Sequence, residues 1–281
     1  MSGYRFCRSD DLGLLASAHD SCLAEPVEGE APLAVADLKL LAREIDLWSS
    51  SCMLALAGDR PVGVLLAAKR ERASLVYRIG VHPDHRRRGH GRHLLDSLGR
   101  KAAILGPPRL VAEVPDDRPG AQAFFEACGW RPGATYADFE LGPLPDAEGP
   151  LEPAEPVTLD DVVGSGAWEP GAKRSWEREL ETLKRRAGRL EGLGVVSDRL
   201  EAWVLHRRAR DGRREVVALG HAPGEQARVV LGILVRRLAC GESAAVVVPR
   251  VSFEEIDPSL LESWGFRRTR GYRGYAIAAT G

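Results

Sequence analysis

The stretch Val81-His82-Pro83-Asp84-His85-Arg86-Arg87-Arg88-Gly89-His90-Gly91-Arg92-His93-Leu94-Leu95 constrains this chain more than any other. An apolar segment, 75–81, runs into an Arg/Gly turn, and a helix is predicted to begin near Gly91. Glycines at 89 and 91 let the backbone turn tightly and put no Cβ in the way of an approaching ligand. The first amides of a helix lack intrahelical acceptors, and the positive end of the helix dipole sits there. Arginines at 86, 87, 88 and 92 add forked donors. The pattern predicts a diphosphate cradle built from Arg86, Arg87, Arg88, Gly89, His90, Gly91 and Arg92. It lacks the third glycine of a dinucleotide fingerprint and the Gly-Lys-Ser/Thr of a Walker loop.

With 281 residues the chain is long enough for two domains of ordinary size. A formal charge of −1 gives no field for nucleic acid or an anionic membrane. No apolar run reaches the roughly 20 residues of a membrane span, and no signal-peptide pattern opens the sequence. Cys7, Cys22, Cys52, Cys128 and Cys240 are scattered and odd in number. That usage fits a reducing compartment, so a cytoplasmic location is expected. His82, His85, His90 and His93 cluster in sequence. They straddle a strand–turn–helix junction, where they are expected to point apart, so no metal is expected.

Residues 143–156 are rich in proline and glycine without apolar periodicity, which predicts an extended linker between domains 1–142 and 157–281. In the first domain, Asp10 or Asp11 is placed to cap a helix running to about Cys22. Leu38, Leu41, Ala42, Ile45 and Trp48 share a helical face. Segments 52–57 and 61–68 form a hairpin about Gly58-Asp59. Strands over 110–114 and 135–141 flank a helix around Phe124. In the second domain, a helix is predicted from Trp176 to Leu190, then strands at 193–197, 202–206 and 216–220. A helix over 228–238, a strand at 244–248 and a final helix follow. Phe124-Phe125-Glu126-Ala127-Cys128-Gly129-Trp130-Arg131 and Leu260-Leu261-Glu262-Ser263-Trp264-Gly265-Phe266-Arg267 share one pattern. This reads as a divergent internal repeat. Helix–glycine–aromatic junctions are also common in their own right. At the second copy's counterpart of the cradle stands Ala222-Pro223-Gly224-Glu225, without arginine and with a carboxylate that would repel a diphosphate. One cofactor site is therefore expected.

Arg86-x-x-Gly89-x-Gly91, preceded by Val81-x-Pro83, resembles the acetyl-CoA signature of the GNAT N-acetyltransferase superfamily. The later helix ending in Gly129-Trp130, and Gly63 in the early strand, fit the same family. The resemblance covers most of residues 1–142. It implies an α/β, three-layer α/β/α fold with a mixed central sheet, in two tandem copies. It also implies acetyl-CoA as cosubstrate, without a metal, and direct transfer to a primary amine on a small-molecule or peptide acceptor. The protein would be a monomeric pseudo-dimer or a homodimer. By the same resemblance, the strand ending at Val81 splays from 110–114, and main-chain groups near Ile79, Gly80 and Val81 bond the pantetheine arm.

The attacking amine must be neutral, which calls for a base. Glu113, a carboxylate in an otherwise apolar strand, is the candidate; on the alternate phase it simply faces solvent. Asp84 is a weaker one. The family's thiolate-protonating tyrosine falls at Phe125, which has no proton to give and is counted among the cofactor contacts. Arg118 stands where an asparagine is frequent. Tyr136 is the substitute acid. A catalytically silent acyl-CoA-binding sensor or scaffold is the alternative.

Overall fold

The computed structural model describes residues 2–8, 10–23, 32–145, 154–209, 211–240 and 245–279. In chain order the elements are β1 (Ser2–Phe6), α1 (Leu12–Cys22), α2 (Val35–Glu44), β2 (Met53–Ala57), β3 (Arg60–Lys69) and β4 (Ser74–Val81). Next come α3 (His90–Leu105), β5 (Arg109–Pro115), α4 (Pro119–Ala127), β6 (Arg131–Leu141), β7 (Glu155–Pro156), α5 (Leu159–Gly164) and α6 (Leu180–Arg186). The chain closes with β8 (Glu191–Val196), β9 (Leu200–Arg208), β10 (Arg214–His221), α7 (Glu225–Arg237), β11 (Val246–Ser252), α8 (Pro258–Ser263) and β12 (Arg267–Ala278). They gather into two compact units. One comprises residues 1–114, 118–133 and 274–281, the other residues 115–117 and 134–273. The division does not fall at the proline-rich segment. Of that segment, 146–153 lie outside the described residues. Leu144 bridges to Cys240, and Glu155–Pro156 pairs with β8, so its described ends join the second unit's sheet.

In the first unit the strands run in the order β1-β2-β3-β4-β5, followed by the end of β12. Strand alternation sends Val64 and Leu66 to one face, where α1 and α2 cover them, and Leu65 and Ala67 to the other, beneath α3 and α4. Three layers result. Asp11 occupies the N-cap position of α1 without capping it. Its carboxylate accepts instead from Arg5 at 2.6 and 2.8 Å and from the Arg8 amide at 2.7 Å.

In the second unit the order is β12-β6-β11-β10-β9-β8-β7. Helices α7 and α8 pack on one face, α5 and α6 on the other. The helix expected from Trp176 to Leu190 is broken into a 3-10 turn at Trp176–Arg178, then α6, then a second 3-10 turn at Ala187–Arg189. Glu179, extended at φ −68° and ψ 153°, makes the first break. The repeated motif folds alike in both places. Gly129 follows α4 at φ +82° and Gly265 follows α8 at φ +92°, and each precedes a buried aromatic and a strand. Glycine's freedom at positive φ makes both junctions.

Candidate active site

Residues 86–92 make the turn from β4 into α3, and its two glycines serve different needs. Gly89 is the N-cap of α3 in the left-handed region, φ +85°, with nothing within 4 Å of where its Cβ would stand. Arg87 is also left-handed, at φ +62°. Such turns point successive amides toward one concavity, which suits an anion. The amides of Arg87, Arg88, Gly89, His90, Gly91 and Arg92 donate to no main-chain acceptor among the described residues. Gly91 is required by packing rather than by ligand approach: a Cβ there would lie 3.0 and 3.1 Å from the ring of Phe124.

The side chains divide. Arg87 and Arg88 are exposed at the loop. Arg86 Nε donates to the Val81 carbonyl at 3.1 Å, bracing the loop against the end of β4. Arg92 reaches the other way, donating to the Ala127 carbonyl at 2.7 Å at the end of α4. The histidines do not point apart as expected. His85 lies 5.9 Å from His82 and 6.3 Å from His90 between ring centroids, and the Tyr4 ring lies 3.8 Å from His93, tilted by 31°. The Tyr4 hydroxyl is 2.7 Å from His90 Nδ1. His90 is buried, and its pKa is lowered from the usual value, first by burial and then by His85, Arg88 and His93. No group of three or more His, Cys, Asp or Glu among the described residues could hold a metal.

Beside the loop lies a fork in the sheet. The parallel pair β4–β5 is in register at Ser74–Leu110, Leu75–Val111 and Val76–Ala112, and pairs no further. Beyond that rung β4 continues through Ile79, Gly80 and Val81, held on its other edge by β3. A bulge at Tyr77 interrupts that antiparallel ladder just where the parallel one stops. Bulges bend a strand and increase its twist, and this one turns β4 away from its neighbour. Glu113 stands on β5 past the last rung. It is half-buried, on the opposite phase from Leu110, Ala112 and Val114, which pack beneath α3 and α4. Tyr136, half-buried on β6 opposite Ser252, belongs to the second unit.

Phe125 is core. It is 3% exposed, edge-on to Trp130 at 5.0 Å and stacked with Tyr275 at 5.8 Å. The Tyr275 hydroxyl donates to Glu126 at 2.9 Å. Sequence reasoning missed Tyr275. It lies in the terminal stretch that joins the first unit, and local pattern carries no signal for a contact about 150 residues away. Phe124, on the helix predicted around it, is the residue against Gly91.

An open run of amides at a helix start, next to a fork between parallel strands, has the chemistry to accept an extended ligand with an anionic head. Residues 19–130 match the model of the acetyltransferase (GNAT) family. Solved structures extend the likeness to the whole chain. A GCN5-related N-acetyltransferase from Sphaerobacter thermophilus superposes with a TM-score of 0.67 at 18% identity, over 100% of this chain and 96% of that one. A tandem GNAT protein from the clavulanic acid biosynthesis pathway gives 0.69 at 19% identity, over 100% and 99%. Residues 19–130 thus match a GNAT acetyltransferase domain, and the whole chain shares the fold of these structures. Its arrangement is the tandem one, two copies of the fold in a single polypeptide. Among the described residues no helix is long and apolar enough to cross a membrane.

Proposed function

We propose that the first unit binds acetyl-CoA and transfers its acetyl group directly to a primary amine on a small-molecule or peptide acceptor. One observation carries the reading: six successive amides, Arg87 to Arg92, without main-chain acceptors among the described residues, at the start of α3 beside the β4–β5 fork. The diphosphate would rest on those amides, with Arg87 and Arg88 supplying charge. The pantetheine arm would lie along Ile79–Val81, whose backbone edge faces away from β3. An amide of that edge can polarise the thioester carbonyl. The amine nitrogen then bonds to the carbonyl carbon, the carbon–sulfur bond breaks, and the thiolate departs with coenzyme A. One proton must leave the amine and one must reach the sulfur.

Glu113 is assigned the first transfer, and water supplies the proton of the second. Nucleic acid and membrane have no part in this reading, and the protein acts as a monomeric pseudo-dimer or a homodimer. Calorimetry with acetyl-CoA, followed by thiol release across a panel of amines, tests it. Absence of acetyl-CoA binding would overturn it. Tight binding without turnover on any amine would favour a silent acyl-CoA sensor. The observation behind that second reading is Phe125, whose buried ring has no proton to give.

A further inference from the structure

The second unit contains the same fork, and it is already filled. Its parallel pair β10–β11 is in register only at Arg214–Val246 and Glu215–Val247, while β10 continues to His221 and β11 to Ser252. As in the first unit, a bulge in the outer antiparallel ladder, here at Val217, falls where the parallel rungs end. At that point a guanidinium spans the gap. Arg178, from the 3-10 turn before α6, is 1% exposed. Its Nη1 donates to the Val216 carbonyl of β10 at 2.9 Å and to the Pro249 carbonyl of β11 at 3.4 Å. Its Nε and Nη2 fork onto the Glu255 carboxylate at 3.0 to 3.3 Å. The Glu255 side chain is 3% exposed, and Arg174 adds a second cation 3.4 Å from it.

Strand carbonyls that lose their ladder inside a protein need another donor. A guanidinium offers five in a rigid plane, enough to reach both strands and still hold a carboxylate. We propose that Arg178, oriented by Glu255, is a built-in occupant of the second fork. It bonds the two walls where an extended thioester ligand would otherwise lie. The second unit is thereby complete without ligand, and the protein carries one acyl-CoA site. Only the naming of the excluded ligand rests on the proposed function; the strut itself does not.

Hydrogen–deuterium exchange on the full chain tests this, with wild type, Arg178→Met and Arg178→Lys, each with and without saturating acetyl-CoA. Removing one partner of a buried ion pair strands the other. Arg178→Met should therefore lower protection over 216–221 and 246–252 by about a hundredfold. Protection over 74–81 should hold. Lysine cannot fork a carboxylate and bridge two carbonyls together, so Arg178→Lys should fall between, and it is read alone if the methionine variant does not fold. In wild type, acetyl-CoA should protect 74–81 and leave 216–221 unchanged. Wild-type protection over 216–221 in both variants would overturn the proposal, as would equal protection of both forks by acetyl-CoA. If acetyl-CoA protects neither fork, the cofactor reading fails, and the variant comparison still decides the strut.

Discussion

The first unit's fork and the second unit's fork begin with the same geometry and end with opposite chemistry. In each, a short parallel ladder stops at a bulge and the strand feeds a helix. In the first, eight residues, His82–Gly89, connect strand to helix and present open amides and arginines. In the second, three residues, Ala222–Gly224, make the connection, and Glu225 opens α7 with the wrong charge for an anion. The first fork has open amides beside it, and in the second the Arg178 guanidinium bonds both strands. A fold can thus hold an interrupted ladder in its sheet, provided another group satisfies the polar atoms it exposes.

The largest expected effect breaks the first side of this comparison. Gly91→Val drives a branched side chain into the Phe124 ring, so acetyl-CoA affinity should fall about a hundredfold or more while far-UV circular dichroism is retained. Unchanged affinity by calorimetry would remove the loop from the site. Glu113→Gln should slow acetyl transfer about a hundredfold with little change in acetyl-CoA affinity, and should erase the acidic limb of the pH–rate profile. A variant that keeps that limb rules Glu113 out as the base. On the other side, Glu225→Arg supplies the missing charge without emptying the fork, so the binding stoichiometry should stay at one. A second equivalent would show that charge alone separates the two copies.

Acid sensitivity is a smaller effect. Burial is the first cause of lowered pKa at both His90 and His206, one in each unit. The folded chain then binds protons less readily than the unfolded chain. Stability is whole above about pH 6.5 and declines as pH falls below it. Urea midpoints at pH 7.5 and 5.5 measure the decline, and His206→Gln should flatten it. Smallest is Asp11→Asn. The hydrogen bond from Arg5 holds the Asp11 carboxyl down at about 2, so its contribution is present above the ordinary carboxylate range and lost as pH falls toward 2. Solvent screening of this pair keeps the effect below about 1 kcal/mol at pH 7. A loss of several kcal/mol in denaturant titration would contradict that.

Elements with strong local signals were legible in the sequence. The β2–β3 hairpin follows from Gly58-Asp59 between apolar runs, and α3 from its Arg/Gly start. The repeat shows in the two glycine–aromatic junctions. Elements fixed by distant partners were not legible. β1 reads Ser-Gly-Tyr-Arg-Phe, a pattern that becomes a strand only beside β2. β12 carries Arg267, Arg268, Arg270 and Arg273 among its residues, and no apolar alternation announces it. Helix spacing from Trp176 to Leu190 hid the break at Glu179. The same break places Arg178 in the fork, so the misread element is the one that closes it. Glu113 follows from a carboxylate in an otherwise apolar strand, but Tyr136 rests on residue type, which does not report which unit a strand joins.

The stretch from Gly274 onward belongs with a body whose other parts end at Gly133, about 140 residues earlier. Tyr275 there stacks on Phe125 and is buried within the first unit's core. A ribosome adding about 5–20 residues per second makes the body through Gly133 and then needs roughly ten seconds or more to deliver its last strand. During that interval the nascent first unit carries an unpaired sheet edge beside β5 and an uncovered Phe125. Trimming or tagging the far carboxyl terminus would therefore disturb the half that is encoded first.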